Sequence, residues 1–181
     1  VYIPTEDDDS VKEYLRMRND HKIALKKIKQ QINAFCIRHG FCYDGTKWTM
    51  THLKWLKKLE TRNAIYRETL NEYMASYEEQ EAKVERYDKR IEEMAKQEKY
   101  HVKVKKLECF LGIKTHTALS LIVETGDFER FAKGNQYAAY LGLAPGENSS
   151  SDSIHRLGIT KAGNSHLRQL LIEAAGGICK G

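Results

Sequence analysis

Apolar residues recur at helical spacing along most of the chain, and the recurrence changes character three times. Between Thr5 and His39 the first stripe runs through Val11, Leu15, Leu25, Ile28, Ile32 and Phe35, interrupted by the polar run at 16–20. Thr5 and Asp8 form a T-x-x-D capping pattern, and acidic residues 6–9 sit where a helix dipole favours them. Gly40 follows as a suitable C′ residue, so the spacing predicts one helix from about residue 6 to His39. A turn at Asp44-Gly45 precedes a second helix from near Thr49, which gathers His52, Trp55, Leu56 and Leu59 on one face. Such a Trp–His cluster predicts core packing more readily than a ligand site.

The second pattern is a heptad. Tyr66, Tyr73, Gln80, Tyr87, Met94 and His101 are seven apart, and Leu70, Tyr77, Val84, Ile91 and Glu98 interleave with them. Alternating steps of four and three predict a continuous helix of roughly 50 Å over this span. The tyrosines, with Gln80 and Glu98 as polar breaks, exclude a tight leucine zipper. An antiparallel partner within the chain and a modest dimer seam both fit, because an amphipathic helix needs a partner.

Past about residue 105 the texture becomes compact. LECFLGIKTHTALSLIVETGDFERF carries apolar residues at helical spacing with Gly112 and Gly126 as breakers. Its LGIKTHTALSLI portion has the form of the second half of a helix-hairpin-helix, with Lys114 just ahead of a helix that starts near Thr115 and offers N–H groups to a phosphate. An ordinary helix-turn-helix corner gives the same pattern. GNQYAAYLGLAP predicts a short helix ended by Gly142 and Pro145; residues 146–158 show no apolar period. The final helix, capped by Asn164 or Ser165, puts Leu167, Leu170, Leu171 and Ala174 on one face. The expected fold class is all-α: a long helical coiled-coil region, then a small helical domain with a helix-hairpin-helix-like element and a serine-rich loop.

Composition narrows the partners. Charged residues make up 30% of the 181-residue chain and hydrophobic ones 41%, which suits a soluble helical protein and excludes disorder by composition. No apolar run approaches the roughly 20 residues of a membrane span, and the acidic N-terminus is no signal peptide. A cytoplasmic protein is expected. The net charge of +5 fits nucleic-acid binding, and the acids are concentrated at the start and in the middle helix, so local basic patches exceed the total. Arg16, Arg18, Lys22, Lys26 and Lys29 lie opposite the first stripe, as either a solvated face or a phosphate contact. None of the four cysteines forms a C-x-x-C pair; thiols in a reducing cytosol are the simpler reading, and a zinc site using Cys36, Cys42 and His39 the alternative.

Candidate chemistry gathers near the C-terminus. Ser149, Ser150, Ser151 and Ser153 precede His155, Arg156, Lys161 and Arg168. A serine nucleophile needs an exposed hydroxyl, positive charge for the transition state and help with its proton. No G-x-S-x-G elbow is present, and a polar serine-rich turn has the same composition. Lys161 and Arg168 lie at or before the first turn of the last helix, where the dipole disfavours cations; a bound anion accounts for them, and so does ordinary solvent exposure.

YLGLAP, the serines, and GITKAGNSHLRQLLIEAA together resemble the C-terminal domain of the IS-one-ten (IS116/IS110/IS902-like) insertion-sequence transposases. The upstream GIK-T-TA-L, GDFERF and YAAYLGL segments, and the earlier RMRND, RHG and WTMTHLKW runs, are similar to the same family, so the resemblance covers nearly the whole chain. It implies a DNA recombinase of two parts, an RuvC-like domain with four acidic metal-binding residues and a coiled coil leading to a domain with a catalytic serine. It implies DNA, a structured guide RNA and homo-oligomerisation through the coiled coil as partners. It also implies a serine that attacks a DNA phosphodiester to form a phosphoserine link. By the family pattern that serine is Ser150, five residues after Pro145; Ser151 stands where the family has glycine, so Ser149 and Ser151 stay open as alternatives.

Residues 1–10 then correspond to the tail of the RuvC-like domain, 11–104 to long helices and coiled coil, and 105–181 to the transposase domain. All four acidic positions would precede Val1. Asp7, Asp8, Asp9 and Asp20 do not replace them, no cofactor is expected in this chain, and the divalent metal, magnesium, belongs to the missing domain. The chain is expected to be a C-terminal fragment, inactive alone. The competing expectation is a non-catalytic helical module for oligomerisation and nucleic-acid binding.

Overall fold

The computed structural model describes residues 4–147 and 156–178. Its elements are α1 (Glu6–Arg38), α2 (Met50–Lys58), α3 (Ala64–Ala95), α4 (Glu98–Glu108), α5 (Thr115–Thr125), α6 (Gly134–Tyr140), the strands β1 (Pro145–Glu147) and β2 (Arg156–Ile159), and α7 (Ser165–Ile178). The all-α expectation holds, with one two-stranded ribbon among the described residues. No described helix is long and apolar enough to cross a membrane. Residues 1–3, the start of the stretch expected to be the tail of an RuvC-like domain, lie outside the described residues.

Local chemistry accounts for the helix ends. The Thr5 hydroxyl donates to Asp8 Oδ2 at 2.8 Å and accepts from the Asp8 backbone N–H at 3.3 Å, closing the N-terminus of α1. Gly40, at φ +73°, ends it: Phe41 N bonds Cys36 O at 2.9 Å and Gly40 N bonds Ile37 O at 3.2 Å, a Schellman pair. Thr49 caps α2 by accepting from His52 N.

The chain forms two units, Arg16–Lys89 and a second made of Val1–Leu15 with Arg90–Gly181. In the first, α1 and α3 run antiparallel. Arg18 meets Asp88, His21 meets Gln80, and Phe35 meets Tyr73. The heptad positions Leu70, Tyr77 and Val84, together with Met74, are buried with Leu25, Ile32 and Phe35 of α1 and Leu56 of α2. The polar break at Gln80 has a partner, since its amide donates to His21 O at 2.9 Å. The α3 seam is thus filled from within the chain.

In the second unit, the heptad does not continue to His101 as one helix. The α3 helix ends at Ala95, Gln97 adopts extended backbone (ψ 145°), and α4 starts at Glu98. The turn leaves His101 exposed and drives Tyr100 and Val104 into a core with Leu15, Ile91, Leu119 and Ile122.

Asp8 lies inside this unit. It accepts from Tyr100 Oη at 2.7 Å and pairs with Lys99 Nζ at 2.9 Å. Burial pushes its carboxyl up, but the hydrogen bonds from Tyr100, Lys99 and Thr5 together outweigh it and hold it below the ordinary 3.8. A carboxylate depressed on folding stabilises above its unfolded value, and that contribution disappears as pH falls through the folded one. Asp8→Asn should therefore lower stability near neutral pH by about 1–3 kcal/mol and flatten the loss below pH 3.8, read from urea midpoints across the acid range. An unchanged acid slope would contradict this role.

Candidate functional site

The base of the β1–β2 ribbon is built from two backbone crossings. The α6 helix ends in a Schellman motif: Leu143 N bonds Ala138 O and Gly142 N bonds Ala139 O, each at 2.9 Å, with Gly142 at φ +70°. The chain then runs antiparallel to the segment that returns from β2. Pro145 pairs with Ile159, Glu147 with Arg156, and the register is irregular between them. Thr160 N bonds Ala144 O and Lys161 N bonds Gly142 O, both at 3.0 Å. A methyl group on Gly142 would overlap the Ala162 carbonyl oxygen, and one on Gly163 (φ +94°) would overlap that of Tyr140. Only glycine lets the strands cross at these two points.

The start of α7 locks the same region. Asn164 Oδ1 accepts from His166 N at 3.0 Å and Leu167 N at 3.1 Å, an N-cap, while its Nδ2 donates to Glu124 Oε2 of α5 at 2.8 Å. Arg168 Nη1 donates to Leu141 O at 2.8 Å, satisfying a carbonyl left open at the end of α6. Beneath lie Leu121, Leu141, Leu167 and Leu170, all buried. The Arg130 guanidinium lies against both the Phe131 and Tyr140 rings, 4.7 Å from each centre, and donates to Thr125 O. Hydrogen bonds and apolar packing thus tie the chain together where GLAP and GITKAGN meet.

These residues sit in a segment with known relatives. The family model for the IS116/IS110/IS902 transposase family matches residues 104–179. The chain is 33% identical to the putative transposase y4qE of Sinorhizobium fredii over 176 residues, 97% of this chain and 42% of that protein. It is 37% identical over 133 residues to the transposase for insertion sequence element IS1533 of Leptospira borgpetersenii, covering 72% of this chain and 38% of that one.

The chain belongs to the IS116/IS110/IS902 transposase family.

It spans about two fifths of the length of these two relatives. Within the family segment, the eight residues joining β1 to β2 contain Ser149, Ser150, Ser151, Ser153 and His155, which lie outside the described residues. Arg156 opens β2, its side chain likewise outside them. Lys161 is exposed at the ribbon base, in left-handed backbone (φ +56°), with no ion pair among the described residues. Arg168 is half-buried and holds the α6 carbonyl.

Other expected contacts fall elsewhere. Lys114 is exposed at the N-cap of α5. The adjacent Gly112 (φ +86°) serves packing, because a Cβ there would overlap the Ala174 carbonyl oxygen of α7. Arg16 is exposed in the Arg16–Lys89 unit. Arg18 departs from the expectation of a phosphate contact: it is buried, and its guanidinium grips Asp88 through Nε–Oδ1 at 2.7 Å and Nη2–Oδ2 at 2.9 Å. A fork-to-fork pair with a carboxylate leaves little of that charge for a phosphate.

The described residues do not fit a metal ion, with no group of three or more His, Cys, Asp or Glu suitably placed. Asp8 is already engaged by Tyr100, Lys99 and Thr5. Sequence reasoning placed Gly142 at a helix end but missed the close backbone crossings at Gly142 and Gly163, and missed Arg130; the left-handed demand on both glycines was hinted only by their positions after a helix and before a cap.

Proposed function

We propose that this chain forms the coiled-coil and serine-bearing portion of a DNA transposase, in which Ser150 is the nucleophile. The observation that carries the reading is the clamped ribbon base. Two glycine crossings and the Asn164 and Arg168 contacts hold the base of the β1–β2 ribbon, where Lys161 is exposed, inside the segment that matches the transposase family; in sequence the serines lie between the two strands of that ribbon. In the proposed step Ser150 Oγ attacks a backbone phosphorus of DNA. The Oγ–P bond forms, one P–O bond to sugar breaks, and the serine proton passes to the departing sugar oxygen. Lys161 offsets charge on the phosphate oxygens. A structured guide RNA selects the DNA, and copies of the protein associate to join donor and target.

The test is recombination by the full-length protein with guide RNA and metal: Ser150→Ala should abolish it while DNA binding persists, and retained recombination overturns the assignment. Lys161→Ala should weaken DNA binding across sequences and reduce the slope of log affinity against log salt by about one. An unchanged slope would remove Lys161 from the phosphate contact.

A further inference from the structure

The Arg16–Lys89 unit holds a second chemical feature, outside residues 104–179. Residues 21–58 carry nine lysines and arginines against one acidic residue, Asp44. In the middle of this basic stretch is a pocket of about 160 Å³ lined by Phe41, Tyr43, Lys47, His52 and Trp55, with Cys36 on its floor. Drug-sized ligands need roughly 300 Å³ or more, so this pocket suits a single planar ring.

Its walls are aromatic and held in place. The Tyr43 ring centre lies 5.1 Å from Trp55 and 4.7 Å from His52, and His52 stacks on Trp55 at 19°. Gly45 permits this arrangement, since a Cβ there would sit 2.8 Å from the Tyr43 ring. Trp48 is held at φ +66°, left-handed backbone that a bulky residue adopts only under constraint. In that conformation its backbone N–H donates to His52 Nδ1 at 3.0 Å. Because Nδ1 is an acceptor, the neutral ring carries its proton on Nε2, the donor His52 can offer to a ligand. Burial, and then the Lys47 charge, push the His52 pKa down, which keeps the ring neutral. Lys29 lies over the Trp48 ring at 5.2 Å.

We propose that this pocket binds one unpaired nucleobase, stacked on the Tyr43 ring with the tilted Trp55 ring against its edge, accepting from His52 Nε2–H through a ring carbonyl, with the adjoining phosphate held by Lys47. Aromatic rings that stack single-stranded bases beside a basic track are a general device for such strands. The base belongs to single-stranded DNA or RNA, and both present the same ring and phosphate. This site goes beyond the transposase reading and does not depend on Ser150.

The chain's two tryptophans, Trp48 and Trp55, both belong to this aromatic cluster, so intrinsic fluorescence reports on it directly. The experiment titrates the chain with oligothymidylate and with oligouridylate of about eight nucleotides. An abasic oligomer of the same length serves as the comparison. Quenching by either base-bearing strand, with the abasic strand binding about tenfold more weakly and without quenching, is the expected result. The stronger of the two strands identifies the source as DNA or RNA. Tyr43→Leu should lose the tenfold advantage, and Lys47→Gln, at an exposed position, should weaken binding with the fold retained by circular dichroism. Equal binding of the abasic strand, absence of quenching by both base-bearing strands, or a Tyr43→Leu protein that keeps the advantage would each overturn the proposal.

Discussion

Alanine at Gly142 should destabilise the Val1–Leu15/Arg90–Gly181 unit by about 4 kcal/mol or more and detach the ribbon from its base. Three effects add at one position. The left-handed backbone at φ +70° strains any side chain. The added methyl overlaps the Ala162 carbonyl oxygen, backbone that cannot swing aside as a side-chain tip would. Separating the two segments also breaks the Lys161 N–Gly142 O bond and disturbs the Schellman bonds of α6. Gly176→Ala is the control. Nothing lies within 4 Å of its added Cβ, and it sits inside α7, so alanine there should stabilise by about 0.5–1 kcal/mol. Chemical denaturation of the three proteins checks both signs. A Gly142→Ala protein as stable as the parent would mean that the crossing is not close-packed.

The second large effect is functional. Ser150→Ala in the full-length protein should cut strand transfer by about a thousandfold or more, because no other group in the proposed step supplies the attacking oxygen. DNA affinity should stay within a few-fold of the parent, since a hydroxyl contributes little to phosphate binding compared with lysines. The neighbours decide the register. Ser149→Ala and Ser151→Ala should retain activity; loss at one of them, with Ser150→Ala active, moves the nucleophile by one residue. Ser151→Gly, which restores the family's pattern after the nucleophile, should be at least as active as the parent.

Much of the fold was legible because it is local. Thr5 with Asp8, Gly40, Thr49 and Asn164 are caps whose partners lie within five residues; Thr5 and Gly40 act as the sequence indicated, Asn164 is one of the two candidates it left for α7, and Thr49 was legible only as a helix start. The apolar stripe of α1 and the heptad of α3 were legible for the same reason, but not their pairing. Intrachain and intermolecular partners satisfy the same periodicity, and only contacts such as Arg18–Asp88, seventy residues apart, distinguish them. The break at Gln97 was hidden because the heptad spacing continues through it. What ends α3 is the burial of Tyr100 and Val104 against α5. The ribbon was missed because PGE and RLGI are too short to show alternation.

The site was legible in a different way. Residue chemistry alone left a polar loop with several serines and no means to choose among them. The family pattern picked out Ser150, and the structure explains the frame around it: Gly142 and Gly163 for the crossings, Asn164 for the α7 cap, Arg168 for the α6 carbonyl. Arg168 illustrates the limit of reasoning from charge. A cation near a helix start suggested an anion, yet one of its N–H groups is committed to a carbonyl inside the fold.

The central claim is that the connection between β1 and β2 delivers a serine to DNA. The most direct measurement is peptide mapping of the protein–DNA adduct trapped from a full-length reaction with guide RNA, metal and a DNA substrate. The predicted result is a phosphodiester link on Ser150, absent from Ser150→Ala. An adduct on a residue outside 148–155, or efficient strand transfer with no covalent protein–DNA intermediate, would contradict it.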